Sequence, residues 1–270
     1  MAGTEESAGA PVVKGRNPGT DAYSPFGERI IIGPTDVSLF VDGAQGTFWS
    51  DGDLAVPGGD HAIRVTKDLV LPKFPIEQRT ATFDLHVLGN VARGDSFPGV
   101  ELFTDLTPEL VADWTEDRLA PFALFDLAYL RDVYLPNAIG RKQTVWPVHG
   151  DPFSPKTLVC APFRREDFGH VFVKGQDPLC DSYSAFRDNL GRDTGLARVY
   201  RRRGVRRIFV NGWVRKVCAG WSAVHGAQEG FEVYVIEDAT ADLPGPTDEM
   251  DLLFRQFGVR SIRSTDLVAG

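Results

Sequence analysis

The segment Arg206 to Glu229, RRIFVNGWVRKVCAGWSAVHGAQE, sets a cysteine where it can act as a nucleophile. Ile208, Phe209 and Val210 read as a buried strand, Gly212 marks a tight turn, and an amphipathic helix follows with Cys218 in its first turn. The unpaired backbone N–H groups and partial positive charge of a helix N-terminus favour an anion, which is a route to a low-pKa thiolate. Taken alone, Cys218 also fits a small apolar residue packed under a helix. Four more residues invite chemistry: Asp42 follows the apolar run VSLFV, Asp84 and His86 stand two apart in RTATFDLH, and Lys174 ends HVFVK. Side chains two apart leave the same face of a strand, so Asp84 and His86 present carboxylate and imidazole together. That pairing is a usual start of a site for zinc, iron or manganese. The plainer readings are a turn-starting Asp42, a surface Asp–His pair and a solvated lysine at a strand end.

For these groups to meet, the strands that carry them must share one sheet. Apolar runs are expected as strands at Val37 to Val41, Arg79 to His86, the segment ending on Lys174, the segment around Phe209, Phe231 to Thr240, and VRSIRS. Between them lie expected helices over residues 60 to 71, stopped by Pro72, over Thr194 to Arg203, closed by Gly204, after Cys218, and over DEMDLLFRQFG. Alternation of this kind predicts an α/β fold: a three-layer α/β/α arrangement around a mostly parallel six-stranded sheet. Such sheets build sites at the carboxyl ends of their strands, where Asp42 and Lys174 would sit. Residues 98 to 145 break the rhythm, and two amphipathic helices are expected there, PELVADWTEDRL and PFALFDLAYLRDVYL, as an inserted segment. Residues 1 to 28, rich in small residues and without periodicity, are expected as a mobile tail or a segment laid over the surface; residues 29 to 270 are expected as a single domain.

Composition narrows the function classes. A net charge of −8 argues against nucleic-acid binding, and the basic run Arg198 to Arg207 reads as the solvated end of a helix. No apolar run approaches the roughly 18 residues needed to cross a bilayer. Three widely spaced cysteines, Cys160, Cys180 and Cys218, with no CxxC, suit free thiols in a reducing compartment. A cytoplasmic location without a membrane partner is the expectation. There is no GxGxxG and no GxxxxGK[ST], so a phosphate-cradling loop is not expected.

In chain order, the sequence carries VDGAQGTFWSDGDLAVPGG, FDLH followed by DSF, WPVH, VKG followed by YSAF, and GWVRKVCAGWSAVHGAQEGFEVYVIEDAT. Together these resemble the nicotinamidase (pyrazinamidase) branch of the isochorismatase-like cysteine hydrolases, from about Val37 to Leu267. The resemblance implies a catalytic triad of Asp42, Lys174 and Cys218. It implies one divalent metal ion, zinc first and iron or manganese as alternatives, held by Asp84, His86 and His149. It also implies a cis peptide at Trp213–Val214, an oxyanion hole from the backbone N–H groups of Val214 and Cys218, and pocket aromatics Phe48, Trp146 and Tyr183. The implied reaction is hydrolysis of nicotinamide, with pyrazinamide as a related substrate, through a Cys218 thioester in NAD salvage; a homo-oligomer fits the family. Three departures stand out: two residues, Gly43 and Ala44, separate Asp42 from Gln45 where the family has one; Gly94 occupies the place of a further histidine; and Gly150 replaces a frequent cysteine. Two other functions compete, a same-fold cysteine amidase for a different small amide and a non-catalytic metal-binding scaffold.

Overall fold

The computed structural model describes residues 29–270, so the expected tail over 1–28 lies outside the described residues. Six strands form one sheet: β1 (Asp36–Val41), β2 (Arg79–Asp84), β3 (His170–Lys174), β4 (Arg207–Gly212), β5 (Glu232–Thr240) and β6 (Arg260–Ile262). Every neighbouring pair is parallel, in the order β3-β2-β1-β4-β5-β6. Parallel strands are buried on both faces and so read as continuous apolar runs, which is why all six residues of β1 are buried.

Residue parity decides which layer each side chain joins. Val37, Leu39, Val41, Ile208, Val210, Val233 and Val235 pack beneath α2 (Leu196–Arg202), α3 (Cys218–Gln228) and α4 (Asp248–Phe257). Phe40, Ala81 and Phe83 point the other way, toward Ala62 and Ile63 of α1 (Gly59–Val65). Phe209, Tyr234 and Ile236 share that second face with Val65, Val70 and Phe74. Each such buried side chain contributes about 1.5–3 kcal/mol of transfer free energy, so the two-sided burial holds the three layers together. The helical path begun by α1 continues in tighter and wider turns through Pro72 to Lys73, one residue past the expected stop.

The chain leaves β1 toward β2 and β3 but leaves β4 toward β5 and β6. Between the carboxyl ends of β1 and β4 the order reverses, and a crevice opens at such a point in doubly wound sheets. Asp42 and Trp213 are the first residues beyond those two ends.

The segment 98–145 corrects the expectation of two helices. PELVADWTEDRL forms turns and one short 3-10 turn at Glu116–Arg118. Only Val111 and Leu119 of that stretch are buried, while Leu110 is exposed, so no apolar stripe exists to stabilise a helix of that length. The second helix starts late: the Asp126 carboxylate accepts from the Tyr129 N–H (2.7 Å) and caps a short helical stretch ending at Asn137. Leu130, Tyr134 and Leu135 from this stretch anchor a core cluster of their own with Phe97, Leu106 and Val145.

Candidate active site

The sequence Asp42-Gly43-Ala44-Gln45 folds as a turn that keeps both polar residues at the crevice. Asp42 takes a left-handed backbone, φ +52°. At Gly43 any Cβ would collide with the Phe40 ring, so the turn requires glycine there. Gln45 still reaches β2: its Oε1 accepts from the Asp84 N–H (2.7 Å) and its Nε2 donates to the Asp84 carbonyl (2.9 Å). The extra residue between Asp42 and Gln45 is thus absorbed locally. Asp42 Oδ1 accepts from the Thr82 hydroxyl (2.8 Å), and the same Oγ1 accepts from the Asp42 N–H (3.0 Å).

Lys174 arrives from the end of β3 and lies between two carboxylates. Its Nζ is 3.0 Å from Asp42 Oδ2, as an ion pair and not an aligned hydrogen bond, and it donates to Asp84 Oδ1 and to the Ser182 carbonyl (2.8 Å). All three side chains are buried. Burial opposes the Lys174 charge, but Asp42 and Asp84 outweigh it and hold its pKa well above the usual lysine range. For Asp42 the balance goes the other way: burial first, then the Asp84 charge, push it up to about 7 against Lys174 and Thr82.

Asp84, Asp42 and Cys218 each bring a ligand-type atom within 4.8 Å of the others. Cys218 opens α3 as its first residue, as expected. The expected low-pKa thiolate does not follow. Burial, joined by the charges of Asp84, Asp42 and Asp181, raises the thiol well above its usual value, and Lys174 offsets only part of this. A helix terminus is only a partial charge, and it does not offset the hydration that a thiolate loses when the sulfur is buried.

A second triad shares Asp84. The ligand atoms of Asp84, His86 and His149 lie within 4.8 Å of one another, and each imidazole Nε2 is 3.9 Å from an Asp84 oxygen. His86 Nδ1 sits 3.1 Å from the Gly175 carbonyl and His149 Nδ1 2.7 Å from the Pro147 carbonyl. Carbonyls only accept, so both Nδ1 atoms carry the proton and both Nε2 lone pairs face the shared space. Burial lowers the pKa of both rings, that of His149 to about 4, helped by the neighbouring His86. Two neutral imidazoles and a carboxylate held below its usual range by Lys174 and the histidines, despite burial, make a donor set that fits one divalent cation. Gly175 allows this closeness, since a Cβ there would come within 2.5 Å of the His86 ring.

Gly150 has a role in this geometry. It has φ +60°, its carbonyl accepts from the His86 N–H (2.8 Å), and an added Cβ would lie 2.9 Å from the Asp84 carbonyl oxygen. A Cβ at Gly94 would meet the Trp146 carbonyl at 2.6 Å, so the backbone there packs too closely for a side chain. Arg93 beside it ties the two histidine segments together, donating to the His86 carbonyl (3.1 Å) and to Asp151 (2.7 Å).

Phe48, Trp146, Tyr183, Val214, Cys218, Asp84 and His149 line one pocket. Trp146 and Tyr183 meet edge to face at 6.1 Å, and Phe48 meets His149 at 5.6 Å. The Trp213–Val214 peptide is cis, as expected. The structure therefore gathers every expected site residue at the carboxyl edge of the sheet. Sequence reasoning missed three: Thr82, Arg93 and Asp181. Thr82 stands two before Asp84 and so shares its strand face, a signal available in the sequence. Arg93 and Asp181 sit in loops without periodicity, and Asp181 lines the same pocket.

A family model described as the Isochorismatase domain matches residues 167–259. A nicotinamidase from Escherichia coli (strain K12) is 34% identical over 207 residues, covering 76% of this chain and 82% of that protein. The nicotinamidase of Schizosaccharomyces pombe (strain 972 / ATCC 24843) is 32% identical over 98 residues, 36% of this chain and 44% of that protein. Among solved structures, an Acinetobacter baumanii nicotinamidase/pyrazinamidase superposes with a TM-score of 0.69 at 23% identity, covering 87% of this chain and 98% of the other. A Pyrococcus horikoshii pyrazinamidase in complex with zinc superposes with a TM-score of 0.57 at 19% identity, covering 85% of this chain and 99% of the other. These two likenesses show the fold.

Proposed function

This chain belongs to the nicotinamidase family of isochorismatase-like hydrolases and is an amidohydrolase, and on that premise we propose that it hydrolyses nicotinamide to nicotinic acid and ammonia through a thioester on Cys218. The observation that carries the reading is the sharing of Asp84 between the Asp42–Lys174–Cys218 group and the Asp84–His86–His149 group, inside one aromatic-walled pocket. A thiol and a ring-holding site are thereby set side by side.

The chemistry starts from a neutral thiol. Asp42 Oδ2, the carboxylate oxygen without a hydrogen bond, takes the Cys218 proton, and the adjacent Lys174 ammonium stabilises the thiolate. Sulfur attacks the carboxamide carbon, and the N–H groups of Val214 and Cys218 receive the developing oxyanion. Asp42 returns its proton to the departing amine as the C–N bond breaks and ammonia leaves. Water then attacks the thioester, Asp42 takes its proton, and that proton passes to sulfur as nicotinic acid is released. Asp84, His86 and His149 would hold a divalent cation, zinc by preference, which would bind the pyridine nitrogen and fix the ring. Phe48, Trp146 and Tyr183 enclose the ring and exclude water. We further place the reaction in the cytoplasm, in NAD salvage.

Ammonia release from nicotinamide by wild type and by Cys218→Ala, each with and without chelation, tests this. Release by metal-replete wild type alone is the expected result. No release by metal-replete wild type overturns the proposal.

A further inference from the structure

One buried acid of the pocket takes no part in that scheme. Asp181 is 3% exposed and lines the pocket together with Cys218, His149, Trp146 and Tyr183. Its two oxygens are each supplied with a donor: Oδ1 accepts from the Ser182 N–H (2.7 Å) and Oδ2 from Gln143 Nε2 (3.0 Å). Gln143 is itself fixed, because its Oε1 accepts from the Tyr134 hydroxyl (2.5 Å) and its Nε2 also donates to the Thr144 carbonyl (2.9 Å). Tyr134 belongs to the segment 98–145 and is fully buried. The inserted segment therefore holds a carboxylate at the pocket wall through a chain of two side chains. Ser182, the next residue, accepts from Lys174, so the loop bearing Asp181 is tied to the triad as well.

Burial first, then the Asp84 charge, raise the pKa of Asp181, while the Gln143 hydrogen bond, Lys174 and His149 work to lower it; N–H donors on both oxygens suit the ionised carboxylate, which only accepts. A fixed negative charge in a buried pocket acts on any ligand charge there with little screening. The substrate amide is neutral and the product acid is an anion, so such a charge separates the two. We propose that Asp181 is a specificity-determining residue that favours the neutral carboxamide over the carboxylate product, speeding product release and suppressing product inhibition. The inference rests on the amide hydrolysis proposed above.

The test uses the metal-loaded enzyme and compares the KM for nicotinamide with the inhibition constant for nicotinate in wild type, Asp181→Asn and Asp181→Glu. In Asp181→Asn the ratio of the inhibition constant for nicotinate to the KM for nicotinamide should fall about tenfold or more. Asp181→Glu keeps the charge and should keep the wild-type ratio. A residue that merely braced the loop would move both constants together, and that outcome, an unmoved ratio, overturns the inference. Asp181→Ser removes the same charge with less bulk and serves if the asparagine variant does not fold. Wild type that turns over no nicotinamide overturns the functional reading and this inference with it; turnover with an unmoved ratio overturns the inference alone.

Discussion

Asp42 and Cys218 compete for protons in a pocket that resists charge, and each is raised for the same first reason, burial. The thiol remains protonated at neutral pH, so the nucleophile exists only when Asp42 is free to accept. With Asp42 at about 7, its carboxylate form dominates above that pH, and kcat/KM should fall as pH drops through about 7. A kcat/KM profile that is flat from pH 5.5 to 8 would remove Asp42 from the role of base. Replacing the nucleophile is the sharper change: Cys218→Ala should lower turnover on the order of 10⁴-fold or more while nicotinamide still binds. Isothermal calorimetry on the variant, beside its ammonia assay, reads both halves of that expectation.

Strands and loops bring these residues to one place, and two positions show how narrow the tolerance is. Gly212 ends β4 with φ +116°, and a Cβ there would strike the Val41 carbonyl of the adjacent β1. Gly212→Ala should cost about 3 kcal/mol in urea-unfolding free energy, since both the backbone conformation and the strand contact oppose it. Arg93 acts between loops, joining the His86 carbonyl to Asp151, two residues past His149. Arg93→Ala should weaken zinc binding about 10- to 100-fold, measured by competition with a chromophoric chelator, with the fold retained by circular dichroism. An unchanged zinc affinity would mean that Gln45 and the carbonyls of Gly175 and Pro147 suffice to orient the donors.

At the scale of the whole molecule, stability and site are linked through the layers. His225 lies in α3 beneath the sheet, where burial first, then Arg187, lower its pKa to about 4. The unfolded chain binds a proton near the ordinary value of 6.5 and the folded chain only near 4, so stability present above 6.5 is lost as pH falls between them. Wild type should lose about 2 kcal/mol more than His225→Gln on moving from pH 7.5 to pH 5, read from denaturant midpoints. Equal losses would show that His225 protonates without unfolding. Much of this fold was readable in one dimension. The runs around Leu39, Phe209 and Val235 are apolar because central parallel strands are buried on both sides, and Cys218, Asp42 and Lys174 each stand where a strand gives way to a turn or helix. Residue type and position by themselves therefore determined the α/β layering and offered Cys218, Asp42, Lys174 and the Asp84–His86 pair as candidates, while the remaining site residues and the reaction were implied by the family resemblance. Of the two helices expected in 98–145, PELVADWTEDRL did not form because only its Val111 and Leu119 are buried, whereas the stretch bearing Leu130, Tyr134 and Leu135 finds buried partners in Phe97, Leu106 and Val145. Proton ownership was likewise beyond the sequence: the helix terminus suggested a thiolate at Cys218, but burial first, then the charges of Asp84, Asp42 and Asp181, raise its pKa once the chain has folded. Tertiary structure alone decided those charges, and with them Asp181's place at the pocket, because electrostatic energy depends on distance and burial, which a linear order of residues does not contain.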